Sequence, residues 1–169
     1  MITVRPMRAG DVPEAAALLN DIIARGGTTA HQNAFDLPEF TRAFLTGPWC
    51  IACHVALDGA GRIAGFQSIE TSDKLPEGCA DIASFARLAP KLRGVGRAMF
   101  PATCQAAREA GYSWLNATIR ADNVEGLGYY SAMGFADHEV QRDVPLADGR
   151  KVDRISKRFA LDNKGEATC

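Results

Sequence analysis

A short glycine-containing segment near the middle of the chain has residue types that suit a bound phosphate group. Gly94 and Gly96 allow the backbone to bend sharply and a ligand to approach it closely. Lys91, Arg93 and Arg97 place three positive charges around them. A helix that follows would add unpaired N–H groups and the positive end of its dipole. The segment therefore predicts a pyrophosphate site, and the alternative interpretation is an ordinary strand-to-helix turn with surface cations.

The elements around this segment predict how it is held. Residues 80–87 read as a strand, and a helix is expected from Arg97, with Met99, Ala102, Ala106 and Ala110 on its buried face. Across the whole chain, hydrophobic periodicity, capping residues and turn residues predict the element order βααβββαβαββ. This order indicates an α+β protein, with a mixed central sheet flanked by helices.

Two motifs resemble those of a known family. Lys91-x-x-Gly94-x-Gly96 resembles the R/Q-x-x-G-x-G/A motif of the GNAT superfamily of acetyl-CoA-dependent N-acetyltransferases, with Lys in the first position. Asn123 and the later segment YYSAMGF at positions 129–135 are similar to the family's "N … fYeklGF" segment. The resemblance covers about residues 1–160. Within the superfamily, the N-terminal half looks most like the phosphinothricin acetyltransferase-like branch, which acts on small amino acids.

The resemblance implies a GNAT (acyl-CoA N-acyltransferase) fold and a role for particular residues. Tyr130 would be the general acid beside the sulfur of the coenzyme, and Asp81 would be the base on the central strand. Asn123 would contact the pantetheine arm. The other implied cofactor-binding groups are the backbone groups of Phe85, Ala86 and Arg87 beside the acetyl group and pantetheine. Around the pyrophosphate they are Lys91, Arg93, Gly94, Val95, Gly96, Arg97 and Ala98.

Each of the two catalytic candidates has an alternative interpretation. Tyr130 also fits an ordinary core aromatic on an amphipathic helix, with Tyr129 as the exposed neighbour. Asp81 also fits an edge carboxylate, in which case Glu70 on the neighbouring strand is the next candidate base, or no single base is needed. His31, in a polar loop, fits either a substrate contact or a solvated side chain.

Composition and charge limit the classes of protein that fit. The length of 169 residues suits one domain, expected over residues 1–160 and followed by a frayed tail over 161–169. The net charge of −1 argues against a nucleic-acid surface. No apolar run is long enough to span a membrane, and the N-terminus lacks the layout of a signal peptide. We therefore expect a cytoplasmic protein, and the resemblance adds an expected homodimer.

One cysteine pattern suggests a different function. Cys50-x-x-Cys53-His54 matches the c-type haem attachment signature. A strand over residues 51–57 would point the two thiols to opposite faces, and no export signal precedes them. Haem is therefore disfavoured, and no second cysteine pair completes a zinc site, so no metal is expected.

These observations predict an N-acetyltransferase that moves an acetyl group from acetyl-CoA to the primary amine of a small molecule by direct attack. An amino acid or close analogue is the first candidate acceptor, and peptide N-termini and polyamines are alternatives. Two other functions stay open. The chain could be a non-catalytic acyl-CoA-binding regulatory module on the same fold, or an unrelated nucleotide-binding domain that uses the glycine turn.

Overall fold

The computed structural model describes residues 1–161, which form one seven-stranded sheet with helices on both faces. The strands are β1 (Thr3–Pro6), β2 (Cys50–Leu57), β3 (Ile63–Glu70), β4 (Cys79–Ala86), β5 (Trp114–Arg120), β6 (Ala136–Pro145) and β7 (Lys151–Ala160). The helices are α1 (Val12–Arg25), α2 (Leu37–Thr41, continued by a π-helical turn over Arg42–Thr46), α3 (Val95–Glu109) and α4 (Val124–Ala132). A short 3₁₀ turn, Ala9–Asp11, precedes α1. The predicted order βααβββαβαββ is confirmed.

The strand order is β1-β2-β3-β4-β5-β7-β6, and among the strands of residues 1–161 only the β4–β5 pair is parallel. That pair is short, because it runs only from Cys79 opposite Trp114 to Asp81 opposite Asn116. Beyond it β4 continues to Ala86 and β5 to the end of its own range, with no further pairing between the two described strands. The sheet is therefore split by a gap that opens at Asp81.

The two faces of the sheet have separate cores. α1 and α2 cover one face, where Phe40, Phe44, Phe66 and Phe85 form an aromatic cluster. α3 and α4 cover the other face, and its buried residues include Phe100, Cys104, Leu115, Tyr130 and Phe135. We call these the α1/α2 face and the α3/α4 face.

Helix α3 begins at Val95, two residues before the predicted start. Gly94 adopts a left-handed conformation (φ 81°) and so ends the loop directly before the helix. The predicted buried stripe is wrong except at Met99, because the buried residues of α3 are Val95, Met99, Phe100, Thr103, Cys104 and Ala107. Alanine fits both faces of a helix, so the alanine spacing was a poor guide to the buried face.

The beginning of α3 packs directly on β3. A Cβ atom on Gly65 would lie 2.5 Å from Val95 Cγ1 and 2.6 Å from the carbonyl oxygen of Phe85. Only glycine at position 65 therefore allows this close packing, and the sequence analysis did not identify it.

The expectation that Cys50 and Cys53 face opposite ways is wrong. A β-bulge in β2 separates the pairs Cys50–Glu70 and Ala52–Ile69, so one extra residue interrupts the alternation. Both cysteines consequently pack against the core of the α1/α2 face, and both are free thiols. Burial raises the pKa of each thiol above its ordinary value, which makes both poor nucleophiles.

The C-terminal boundary differs slightly from the expected one. Leu161 is buried, and its N–H donates to the carbonyl oxygen of Ser113, so it belongs to the packed domain rather than to a tail. The rest of the expected tail, residues 162–169, lies outside the described residues. Among the helices of residues 1–161, none has both the length and the apolar character needed to cross a membrane.

Candidate functional site

The glycine turn and the first turn of α3 present backbone donors. The first helical hydrogen bond runs from the N–H of Ala98 to the carbonyl oxygen of Gly94, at 2.9 Å. The N–H groups of Val95, Gly96 and Arg97 precede that bond and have no partner one turn back in the helix. Ala98, expected among the pyrophosphate donors, therefore uses its N–H within the helix. The N–H groups of Val95, Gly96 and Arg97 therefore remain available to bind an anion.

Gly96 lies directly beneath a tyrosine of α4. A Cβ atom at this position would lie 2.7 Å from the ring of Tyr129 and 2.8 Å from its hydroxyl oxygen. Position 96 therefore requires glycine because α4 packs closely over the turn. The approach of a ligand, expected from the sequence, would be a second reason. The contact places the Tyr129 hydroxyl beside the free N–H groups of α3.

The cations near the turn divide into two groups. Arg93 and Arg97 are exposed, and Lys91 forms an exposed ion pair with Glu125 in the first turn of α4. The side chain of Arg87, whose backbone was expected to line the cofactor site, points elsewhere. Its guanidinium binds Asp58 at 3.0 Å and donates to the carbonyl oxygens of Ile63 and Pro90. The side chain of Arg87 thus fixes the β2–β3 hairpin.

The edge of β4 that faces the gap offers further backbone groups. The N–H of Arg87 donates to the carbonyl oxygen of Ala64 at 2.9 Å, so this N–H points toward β3. Because backbone groups alternate between the two edges of a strand, the N–H and C=O groups of Ser84 and Ala86 point into the gap. The side chain of Phe85 lies in the aromatic cluster, with its ring centroid 4.9 Å from that of Phe66.

Four polar side chains form a network on the α3/α4 face beside the gap. The Nε2 group of Gln67 donates to Ser84 Oγ at 2.8 Å and to Tyr129 Oη at 3.0 Å. Ser84 Oγ and Tyr130 Oη are hydrogen bonded at 2.9 Å. Two strands and α4 therefore bring both tyrosine hydroxyls together next to the unpaired edge of β4.

Both tyrosines remain phenols well above neutral pH. Burial raises the pKa of Tyr130, and the charge of Asp81 adds to this, while the hydrogen bond with Ser84 acts in the opposite direction. Burial also raises the pKa of Tyr129, against the hydrogen bonds from Gln67 and Ser84. A buried, fully protonated phenol is suited to donate a proton rather than to accept one.

Two carboxylates lie on the opposite face, where the gap opens. Asp81 accepts a hydrogen bond from Asn116 Nδ2 at 2.9 Å, and Asn116 Oδ1 in turn accepts one from Arg158 Nε at 2.7 Å. Burial raises the pKa of Asp81 in spite of these two residues, which lower it. Glu70 pairs with Asp81 across β3 and β4, and its pKa is raised by burial and by the charge of Asp81.

A cleft of ≈ 1030 Å³ lies over this end of the α1/α2 face. Its walls include His31, Phe35, Arg42, Trp49, Glu70 and Leu146. The loop between α1 and α2 and the β6–β7 hairpin close it, and they are joined by a hydrogen bond from the Ala147 N–H to Gln32 Oε1 at 2.6 Å. Glu70 thus reaches the cleft directly, whereas Asp81 lies behind it at the gap.

His31 is an exposed residue of the polar loop, and one side of its ring packs against aromatic side chains. Its ring contacts those of Phe35, Phe44 and Phe85, with centroids 5.2, 6.3 and 6.2 Å away. Burial lowers the pKa of His31, so the ring is neutral at physiological pH. The residue joins the aromatic cluster to the wall of the cleft.

Asn123 has a defined structural role. Its Oδ1 accepts from the N–H of Gly126 at 2.9 Å and so caps α4, and its Nδ2 donates to the carbonyl oxygen of Thr28 at 3.1 Å. Asn123 therefore joins α4 to the loop above the cleft, and its expected contact with pantetheine stays a prediction. The sequence analysis missed Gln67 and Ser84, whose only signal was a polar residue within a buried strand.

The architecture is that of the GNAT acetyltransferases. An N-acetyltransferase from Staphylococcus aureus Mu50 superposes with a TM-score of 0.84 at 16% identity, covering 96% of this chain and 99% of that one. A GNAT superfamily phosphinothricin acetyltransferase from Sinorhizobium meliloti, solved in complex with AcCoA, gives 0.83 at 15% identity, covering 99% and 92%. A ribosomal-protein-alanine N-acetyltransferase from Brucella melitensis gives 0.82 at 19% identity, covering 94% and 99%.

No family sequence model matches the chain, and neither does a curated protein sequence. At these levels of identity the structural likeness shows the fold, which confirms the predicted GNAT architecture. The activity must be argued from the site of this chain.

Proposed function

We propose that the protein is an N-acetyltransferase that moves an acetyl group from acetyl-CoA to the primary amine of a small molecule. The observation that carries the proposal is the gap between β4 and β5. A protonated tyrosine lies beside it on one face. On the other face lies Asp81, whose pKa is raised, with Glu70, whose pKa is also raised, next to it in the cleft wall. A thioester and an amine that enter from opposite faces would meet there.

The α3/α4 face fits the donor. The free N–H groups of Val95, Gly96 and Arg97, together with the exposed guanidinium of Arg93, suit a pyrophosphate. From there an extended pantetheine arm would follow the unpaired edge of β4, where Ser84 and Ala86 offer backbone hydrogen bonds. This arrangement would bring the thioester to the hydroxyl of Tyr130.

The reaction requires a proton transfer on each face of the sheet. The acceptor ammonium first loses a proton to a carboxylate on the α1/α2 face, and the free amine attacks the thioester carbon. A backbone N–H on the free edge of β4 stabilises the oxyanion. When the C–S bond breaks, the thiolate takes the proton of the Tyr130 hydroxyl.

Asp81 and Glu70 have different proposed roles on the acceptor side. Glu70 lies in the cleft wall and would attract the incoming ammonium. Asp81 lies at the point where the strands separate, which makes it the proposed base. Its raised pKa strengthens its basicity, and Asn116 holds the carboxylate in place.

The proposed acceptor is a small amine such as an amino acid or a close analogue. Arg42 and Glu70 bring opposite charges to one cleft, which suits a molecule that carries both a carboxylate and an ammonium. The phosphinothricin acetyltransferase among the structural neighbours is consistent with this, whereas the ribosomal-protein-alanine enzyme keeps peptide N-termini as an alternative. We also propose a cytoplasmic homodimer, on the resemblance alone.

The experiment is a measurement of thiol release from acetyl-CoA with a panel of amino acids, polyamines and short peptides. Turnover with one acceptor class supports the proposal and identifies that class. Tight acetyl-CoA binding without turnover on any acceptor favours the non-catalytic regulatory module. Equal binding of adenine nucleotides that lack pantetheine favours the nucleotide-binding domain, and absence of coenzyme binding contradicts the proposal.

A further inference from the structure

Gln67 is a fully buried amide (0% exposed) with an unusual set of partners. Both of its N–H groups are used, one by Ser84 Oγ and one by Tyr129 Oη. Its Oε1 atom is buried and has no partner within the described residues. The unpaired acceptor costs free energy, and the two N–H hydrogen bonds offset part of that cost.

The orientation of the amide fixes the direction of the hydrogen bonds. If the amide were reversed, its oxygen would accept from the two hydroxyls and two buried N–H donors would lack partners. The observed orientation leaves one acceptor unsatisfied instead of two donors, and it therefore costs less. Gln67 is thus the donor to both Ser84 and Tyr129.

The Gln67 donor leaves the proton of Ser84 available for the next hydrogen bond, in which either hydroxyl can be the donor. Ser84 Oγ already accepts from Gln67, and its other partner in the network is Tyr130 Oη at 2.9 Å. When Ser84 donates its own proton to Tyr130 Oη, the proton of Tyr130 is free to point elsewhere. Hydrogen bonds that run in one direction also strengthen one another.

We propose that Gln67 and Ser84 are positioning residues that direct the Tyr130 hydroxyl proton into the gap between β4 and β5, toward the leaving sulfur. This inference rests on the proposed function. In the step itself the C–S bond breaks, the thiolate takes the Tyr130 proton, and the resulting phenolate keeps the hydrogen bond from Ser84. From ammonium to amide the nitrogen gives up two protons, which the base takes one at a time and passes to solvent. Tyr130 regains one proton from solvent, so one proton is released overall and the charges balance.

The test compares variants that stop or reverse this chain of donors. Ser84→Ala removes the donor to Tyr130, and Ser84→Thr retains a hydroxyl. Gln67→Glu has nearly the same shape but no N–H, so it would accept from Ser84 and turn the Ser84 proton away from Tyr130. Thr103→Val is the matched control for a lost buried hydroxyl, and Gln105→Glu is the control for an added charge on the exposed side of α3.

We expect Ser84→Ala and Gln67→Glu each to lower kcat about 10-fold or more, with the acetyl-CoA Kd unchanged. Ser84→Thr should restore most of the rate, and both controls should match the wild type. In a Tyr130→Phe background Ser84→Ala should cause no further loss, since no proton is left to direct. An equal loss in both backgrounds would mean that Ser84 is merely structural and would overturn the inference.

A second measurement needs no acceptor. Difluorotyrosine in place of Tyr130 has a more acidic phenol, and its ¹⁹F resonance reports its titration in the coenzyme-free protein. Ser84→Ala should move this titration to higher pH, because the phenolate loses its donor, and Ser84→Thr should move it little. If the wild type acetylates no acceptor, the proposed function fails, and this titration still decides whether Ser84 donates to the Tyr130 phenolate. An unchanged titration in Ser84→Ala overturns the inference.

Discussion

The two faces of the sheet present different chemical groups to the gap. The α3/α4 face offers backbone N–H groups, one amide and three hydroxyls, and among its site residues only peripheral side chains carry charge. The α1/α2 face brings charged side chains to the gap, namely Asp81, Glu70 and Arg158, beside an aromatic cluster. The proposed donor, acetyl-CoA, always has the same structure, so backbone groups in fixed positions can bind it. The proposed acceptor is an ammonium that must lose a proton, which requires a carboxylate that can change its protonation state.

The largest effect should come from a change that damages only the donor face. In Gly96→Asp the new side chain collides with Tyr129 and puts a negative charge among the N–H groups of α3. We expect the acetyl-CoA Kd, measured by calorimetry, to rise at least about 100-fold, close to 3 kcal/mol. Gly59→Ala is the matched control, since a Cβ there meets nothing within 4 Å. Unchanged binding in Gly96→Asp would place the donor elsewhere.

The next effect concerns the proton donor on the same face. Tyr130→Phe should lower kcat about 100-fold while the acetyl-CoA Kd stays within about 2-fold, because only the transition state needs the proton. Initial rates of thiol release together with calorimetry check both values. Tyr112→Phe, at the one tyrosine of the sequence besides Tyr129 and Tyr130, should behave as the wild type. A full rate in Tyr130→Phe would remove this residue from the mechanism.

A smaller effect should separate the acceptor face from the donor face. Glu70→Gln removes the charge from the cleft wall, so the acceptor KM should rise about 10-fold, which corresponds to ~1.4 kcal/mol, with donor affinity unaffected. Glu77→Gln, on the exposed loop before β4, serves as the control. If Glu70→Gln instead weakened acetyl-CoA binding alone, the assignment of the two faces would be reversed.

The smallest effect is on stability. Burial raises the pKa of Asp81 in the folded state, so its ionisation disfavours folding as the pH rises through that value. Asp81→Asn should therefore raise Tm at pH 7, by on the order of 2 °C, and the difference should disappear near pH 3, where the carboxyl is neutral in both states. Thermal unfolding at the two pH values checks this. A lower Tm in Asp81→Asn at pH 7 would contradict the proposed cost of the buried charge.

The same residue predicts a pH profile. The base acts only when ionised, so kcat/KM for the acceptor should fall on acidification below the raised pKa of Asp81. Asp81→Asn should abolish that acidic limb and lower the rate about 100-fold. An acidic limb that persists in Asp81→Asn and disappears in Glu70→Gln would make Glu70 the base.

The glycine turn was predictable from the sequence, because it depends on a few consecutive residues. The start of α3 was predicted only approximately, since the helix begins at Val95 rather than at Arg97. The acceptor cleft was not predictable, since Arg42, Trp49 and Leu146 come from segments that only the fold brings together.

The pairing register of the strands explains other contacts that the sequence did not predict. Gln67 meets Ser84 only because of the β3–β4 pairing, and the side-chain orientation of Cys50 depends on a bulge that has no clear signal in the sequence. The ion pair of the Arg87 side chain was likewise not predictable, because its partner Asp58 lies in a distant hairpin.

The central claim is that donor and acceptor enter from opposite faces and react directly at the gap. The most direct test is an initial-rate experiment in which both substrates are varied, with the acceptor that the panel identifies. Direct attack requires both substrates to be bound together, so the double-reciprocal lines should intersect. Parallel lines would indicate a covalent acetyl-enzyme intermediate and would contradict the account.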